Sequence, residues 1–174
     1  MWFFFCIFSL YVSWRQGFPC VTSCFLSGAC HGDFPITDGQ WNLFESISKL
    51  IDKLNLKKNV KILGKVNERD KYFLFKISDL HVMPTILDKR SLSIEGFGIS
   101  YIEAGLYGIP SISSGLGGTK ESVINGKTGI ICNPNNISSI KDSIKKVLIN
   151  KKMYKKMSVN SKNFSKKFLW KNLF

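Results

Sequence analysis

Two glutamates eight positions apart, Glu95 and Glu103, bracket the run Gly96-Phe97-Gly98-Ile99. Glycines at 96 and 98 let the backbone approach a ligand closely and take unusual φ values. If a helix begins there, the N–H groups of Phe97 to Ile99 lack intrahelical partners. Such a terminus attracts a diphosphate through its donors and dipole, an effect of about 0.3–2 kcal/mol. At about 1.5 Å per residue, Glu103 lies a few ångströms beyond the phosphate position. A carboxylate there repels phosphate but accepts from a vicinal diol such as a ribose. Glu95, on the other side, accepts from hydroxyls of whatever the diphosphate carries. One acid for each sugar, with a helix terminus between them, fits a nucleotide-diphospho-sugar. By itself the pattern also fits a Gly-rich turn with two surface glutamates, so the surrounding elements decide.

The chain has 174 residues, 44% hydrophobic and 21% charged. That is a globular composition with room for about one domain. Residues 1–31 read as an irregular apolar segment without assignment, and residues 32–174 as one nucleotide-sugar-binding domain with basic C-terminal helices. From residue 32 onward the apolar spacing alternates between helical and strand periods. Residues 42–56 put Leu43, Ile47, Leu50, Ile51 and Leu54 on one helical face. Val60, Ile62 and Leu63 read as a strand ended by Gly64, and residues 68–78 as a helix with Phe73, Leu74 and Ile77 inward. Residues 80–83 read as a strand stopped by Pro84, and residues 99–107 as a helix closed by Gly108. A strand over 109–113, a short helix capped by Thr119, a strand over 129–132 and a helix capped by Ser138 follow. Strands alternating with helices predict a Rossmann-like parallel sheet covered on both faces. Ligands of such sheets bind at the carboxyl ends of the strands, which is where the loop between Pro84 and Glu95 stands.

The charge is uneven. Lys and Arg number 25 against 12 Asp and Glu, a net charge of +13, and residues 141–174 carry eleven Lys with one acid, Asp142. Such a surface suits an anionic partner. The three arginines, Arg15, Arg69 and Arg90, are too few for the Arg forks of base readout, so sequence-specific nucleic-acid binding is not expected. Five cysteines are odd in number, and Cys20, Cys24, Cys30 and His31 match no common zinc spacing. No apolar stretch has the length of a spanning helix. A dinucleotide oxidoreductase would want a third glycine where Tyr101 stands.

The run from Glu95 to Pro110, followed by Gly117-Gly118, Glu121, Val123, Asn125-Gly126 and Thr128-Gly129, resembles the donor-site signature of glycosyltransferase family 4. These are retaining enzymes of GT-B fold. The resemblance covers roughly residues 36–170, from Asn59-Val60 and Asp79-Leu80 through Phe168 to Trp170. It implies the partial C-terminal half of a GT-B hexosyltransferase of glycan biosynthesis. Glu95 would contact donor-sugar hydroxyls and is the candidate catalytic residue. The backbone of Gly96, Phe97, Gly98 and Ile99 would hold the diphosphate. Glu103 would bind the ribose, Val66 would pack the nucleobase, and Gly117 and Gly118 would shape the floor.

The resemblance implies a UDP- or GDP-sugar as donor, a glycan or lipid as acceptor and no cofactor. No D-x-D motif occurs, so the metal-bound diphosphate of GT-A enzymes is not expected, and GT-B transfer is metal-independent. It also implies a cytoplasmic protein, with peripheral contact to the inner membrane surface as a further expectation. The family places an Arg and a Lys near the start of this domain, and no matching segment precedes Gln40. The acceptor-binding N-terminal domain has no counterpart either. The expectation is a truncated donor half that is not competent alone and has its N-terminal half on a separate chain or lost. The competing reading is a non-catalytic basic module that binds an anionic membrane or nucleic acid through its Lys-rich tail.

Overall fold

The computed structural model describes residues 8–13, 20–26, 38–64, 66–87 and 96–169. Six strands form one sheet in the order β3-β2-β1-β4-β5-β6. They are β1 (Phe8–Ser13), β2 (Cys20–Leu26), β3 (Lys61–Gly64), β4 (Leu80–Met83), β5 (Ser111–Ser113) and β6 (Gly129–Ile131). The helices are α1 (Asp38–Lys53), α2 (Glu68–Ile77), α3 (Ile99–Leu106), α4 (Thr119–Ser122), α5 (Ile137–Ile149) and α6 (Lys151–Ser165), and a 3-10 turn, Lys166–Phe168, extends α6.

From β4 onward the strand–helix alternation is as expected. β4, β5 and β6 pair in parallel, with Val82 beside Ile112 and Ile112 beside Ile130. All four residues of β4 are buried, as in a sheet covered on both faces. Leu80, Val82, Ile112 and Cys132 pack with Val147 of α5 and Met157 of α6. Met83 packs with Tyr101 of α3 and Val123. A third cluster joins Phe75 of α2 to Ala104 and Ile109.

The expected parallel direction holds for β3, β4, β5 and β6, and the unassigned amino-terminal segment adds two strands to the sheet. Two segments within residues 1–31 are strands, and β1 runs antiparallel to both of its neighbours, β2 and β4. β2 therefore points the same way as β4, and β3 pairs with it in parallel. Chain length explains the reversal. Six residues separate Ser13 from Cys20, whereas a parallel crossover needs about a dozen or more. Val12 sits opposite Leu80 and Leu10 opposite Val82, so the chain leaves β1 at the edge where β4 begins.

Local details differ too. Phe75 is the buried residue of α2, while Phe73 and Ile77, expected inward, are 61% and 38% exposed. The helix is rotated so that the Phe75 ring stacks on Tyr107 at 5.2 Å. Leu50 of α1 and Leu54, just after the helix, both expected inward, are exposed. Asn136, rather than Ser138, caps α5 by accepting from the Ser139 N–H. Asn150 ends α5 and caps α6 through the Met153 N–H. Gly118, rather than Thr119, holds the N-cap position of α4.

Candidate functional site

The carboxyl ends of β4 and β5 gather most of the expected site residues. Gly98 opens α3 with φ +78°, and a Cβ there would stand 2.5 Å from the Tyr101 ring. A side chain at this position meets both left-handed strain and a clash. The Tyr101 hydroxyl donates to the Met83 carbonyl, and the Tyr101 N–H donates to the Gly98 carbonyl at 3.0 Å. These bonds tie the first turn of α3 to the end of β4. No side chain caps that turn.

The loop after β5 closes on the same corner. A Cβ on Gly118 would lie 1.6 Å from the Gly96 carbonyl oxygen and 3.3 Å from Phe97 Cα, so the two loops touch backbone to backbone. Gly117 turns the chain with φ +59°. Thr119 is buried, and its hydroxyl donates to the Leu116 carbonyl at 2.6 Å. Gly96, Phe97, Gly98, Ile99, Gly117 and Gly118 thus form one glycine corner. Phe97 turns its ring toward Phe168, 5.4 Å away, and Ile99 is exposed. Glu95 lies outside the described residues, as do Cys30 and His31.

Glu103 is in α3, about one turn, ~6 Å, past Ile99. Its Oε1 accepts from Lys71 Nζ at 2.9 Å, and Lys71 also pairs with Glu68 at 3.0 Å. Burial pulls the Lys71 ammonium down, but the two carboxylates outweigh it and the net shift is upward. A carboxylate accepts about four hydrogen bonds, so Lys71 orients Glu103 without filling it. Val66 packs on the cluster of Phe75, Ala104 and Ile109, with Tyr107 alongside. It thereby stands on the side of α3 that carries Glu103. Partial burial first, then Tyr72 and Glu103, hold the Tyr107 phenol above its usual range.

Lys71 escaped the sequence reading. Its spacing to Glu68 is visible on a helix, but its partner Glu103 is 32 positions away. His81 has a different part. It is fully buried, and that burial lowers its pKa to about 3. Its Nδ1 lies 3.3 Å from Ser111 Oγ and its ring meets Tyr101 edge-on. A neutral imidazole there braces the floor under α3. Among the described residues, no three His, Cys, Asp or Glu side chains stand together as metal ligands.

The corner supplies backbone donors for an anion, and Glu103 supplies an acceptor for hydroxyls one helical turn away. Several known proteins are similar to this chain. A glycosyltransferase of Methanocaldococcus jannaschii named MJ1178, itself uncharacterized, is 32% identical over 133 residues, which is 76% of this chain and 35% of that protein. A GDP-mannose-dependent alpha-(1-6)-phosphatidylinositol monomannoside mannosyltransferase of Mycobacterium tuberculosis is 26% identical over 62% of this chain and 28% of its own length. The structure of Anabaena HepE with UDP and glucose aligns with a TM-score of 0.65 at 23% identity, over 75% of this chain and 34% of that one. That likeness is one of fold, the Rossmann-like half of a GT-B glycosyltransferase. The chain spans about a third of the length of these proteins. The family described as glycosyl transferases group 1 matches residues 28–164, a span that takes in the glycine corner, Val66, Lys71 and Glu103; by that match the chain belongs to the family.

Proposed function

We propose that this chain is the donor-binding part of a retaining, family 4-like hexosyltransferase that carries sugar from UDP or GDP to a glycan or lipid acceptor. The observation that carries this reading is the backbone contact of Gly118 with Gly96. It brings two loops together at the start of α3, which no side chain caps, with Glu103 a turn further along. A diphosphate meets N–H groups there, and the ribose meets the carboxylate. Glu95 is the group assigned to the donor-sugar hydroxyls, and Val66 to the nucleobase. The GDP-mannose dependence of one relative and the UDP in the HepE structure support both nucleotides as donors. The family resemblance assigns this transfer no metal ion. Such an enzyme works in the cytoplasm, where nucleotide-sugars are made.

Transfer also needs cations opposite the leaving diphosphate and a positioned acceptor. Lys71 is committed to Glu103 and Glu68. β1 ends beside the start of β4, away from the corner at that strand's other end. We therefore assign this chain donor binding, with transfer requiring an opposing half. The test is calorimetric titration with UDP and GDP, alongside a radiolabelled-hexose assay. Wild type should bind one nucleotide and transfer no sugar. Glu103→Ala should weaken binding by about 1.5–3 kcal/mol, the scale of a charged hydrogen bond. Equal affinity in a folded variant removes Glu103 from the site, and a wild type that binds neither nucleotide overturns the reading.

A further inference from the structure

α6 lies along α3 as a splint. A Cβ on Gly105 would stand 2.0 Å from Ser165 Oγ, and one on Gly108 would stand 2.9 Å from Ser158 Oγ. Rising positions on one side meet falling positions on the other, so α6 runs antiparallel to α3 and its last turn reaches the start of α3. Side-chain bonds fix it there. The Ser161 hydroxyl donates to the Thr128 carbonyl at 2.7 Å, and Asn160 Nδ2 donates to the Lys127 carbonyl at 3.2 Å. The 3-10 turn then delivers Phe168 to the glycine corner, where its ring stands 5.4 Å from that of Phe97, tilted by 52°. Phe164, about one turn earlier in α6, meets Phe168 edge-on at 5.2 Å.

Phe97 is the one side chain in the run Gly96-Phe97-Gly98. A glycine on each side leaves that backbone wide conformational freedom. The Gly118 backbone presses on the Gly96 carbonyl, and the Tyr101 ring stands against Gly98. Those contacts fix the two glycines, and the aromatic pair fixes the residue between them. Tilted and edge-on rings at these separations attract in a favoured orientation.

We propose that Phe168 is a positioning residue for the nucleotide. It acts through Phe97, whose ring it holds so that the backbone N–H groups of residues 97–99 keep the arrangement that receives the diphosphate. The identity of that ligand rests on the proposed function, whereas the bracing of the run does not. Anion binding by backbone donors depends on several N–H groups converging at once. Without the Phe168 ring the run spreads over other conformers open to glycine, and apparent affinity falls with the fraction that stays competent. A drop of that fraction to about one-tenth weakens binding about tenfold. Phe168 is 36% exposed and lies outside the cluster of Leu80, Val82, Ile112, Val147 and Met157, so its truncation leaves that core in place.

The experiment compares the full chain with Phe168→Ala, Phe168→Tyr and Met153→Ala, each isotope-labelled at the glycine nitrogens. Heteronuclear NOEs of the backbone, which report picosecond-to-nanosecond motion, are measured without nucleotide. They should fall at Gly96 and Gly98 in Phe168→Ala, stay unchanged at Gly129 of β6, and keep wild-type values in Phe168→Tyr, which retains the ring. Calorimetric titration with UDP and GDP should then show Phe168→Ala about tenfold weaker and Phe168→Tyr near wild type. Met153 packs on the core from α6, so Met153→Ala lowers the melting temperature and leaves the aromatic pair in place; it should bind like wild type below its melt. Wild-type NOEs or wild-type affinity in a folded Phe168→Ala chain overturn the proposal, as does an equal loss of affinity in Met153→Ala. A wild type that binds neither nucleotide refutes the proposed function instead, and the NOEs then decide alone whether Phe168 holds the run.

Discussion

Gly118→Ala isolates the contact on which the glycine corner depends. The backbone of Gly118 has φ −74°, so alanine meets no dihedral strain. The cost is steric. The new Cβ would stand 1.6 Å from the Gly96 carbonyl oxygen and must reach at least 3.0 Å. Its neighbour is backbone, so no side chain can swing aside; one loop has to move bodily. Overpacking of this kind costs about 1–3 kcal/mol. In a chain of this size that is a fall of roughly 2–12 °C in Tm, small enough to leave it folded. The same displacement moves the N–H groups of Gly96 to Ile99 by more than an ångström, which hydrogen bonds of about 2.9 Å to an anion do not tolerate. Nucleotide affinity should therefore fall at temperatures where the variant is fully native. The control for stability is Gly96→Ala, because no protein atom lies within 4 Å of a Cβ there. Differential scanning calorimetry reads the steric cost in both variants, and UDP or GDP titration reads the lost affinity in Gly118→Ala. A Gly118→Ala protein that melts and binds like wild type would falsify the contact, and so would a Gly96→Ala protein that melts equally low.

Two further outcomes follow from buried charge. Lys71→Met should cost about 1 kcal/mol of stability at neutral pH, a modest figure because both pair members keep some solvent access. It should also weaken nucleotide binding through Glu103, with Lys71→Arg recovering part. The Lys71 pKa is raised, so the pair's contribution is complete below about 10.5 and fades only above it; urea midpoints at pH 7 and pH 11 check this. His81 has its pKa lowered to about 3, so the unfolded chain takes a proton first as pH drops below about 6.5. Stability should decline between those two values at up to about 1.4 kcal/mol per pH unit. Urea midpoints at pH 7 and pH 5 should show that slope in wild type and a shallower one in His81→Gln; parallel slopes would count against it.

The half of the fold from β4 onward was legible because its strands are short, β-rich and punctuated by Pro84, Gly108 and Gly126. The glycine corner was legible for a related reason: each loop carries glycines where the chain must turn sharply. β1 and β2 were not, because their segments FSLYVS and CVTSCFL mix apolar residues with Ser and Thr in no regular alternation, so no periodicity marks them as strands. Their direction was hidden as well, since it depends on the length of a link rather than on residue type. The Gly118–Gly96 contact and the Lys71–Glu103 pair join distant positions, and one sequence holds no trace of distance in space. Phe73 was placed inward by its character, whereas the tertiary partner Tyr107 selects Phe75.

The reversed strand also bears on how the molecule comes together. β1 alone joins β2 and β3 to the three strands that carry the glycine corner. Its pairing with β4 links residues 10 and 82, a closure over most of the chain before α3, and long closures form late. β4, β5 and β6 pair with near neighbours in sequence and share a core with α5 and α6. They have what a cooperative folding unit needs by themselves. The glycine corner lies inside that unit, so it can stand complete while the other end of the sheet is still assembling, and local opening around β1 leaves its glycines in place.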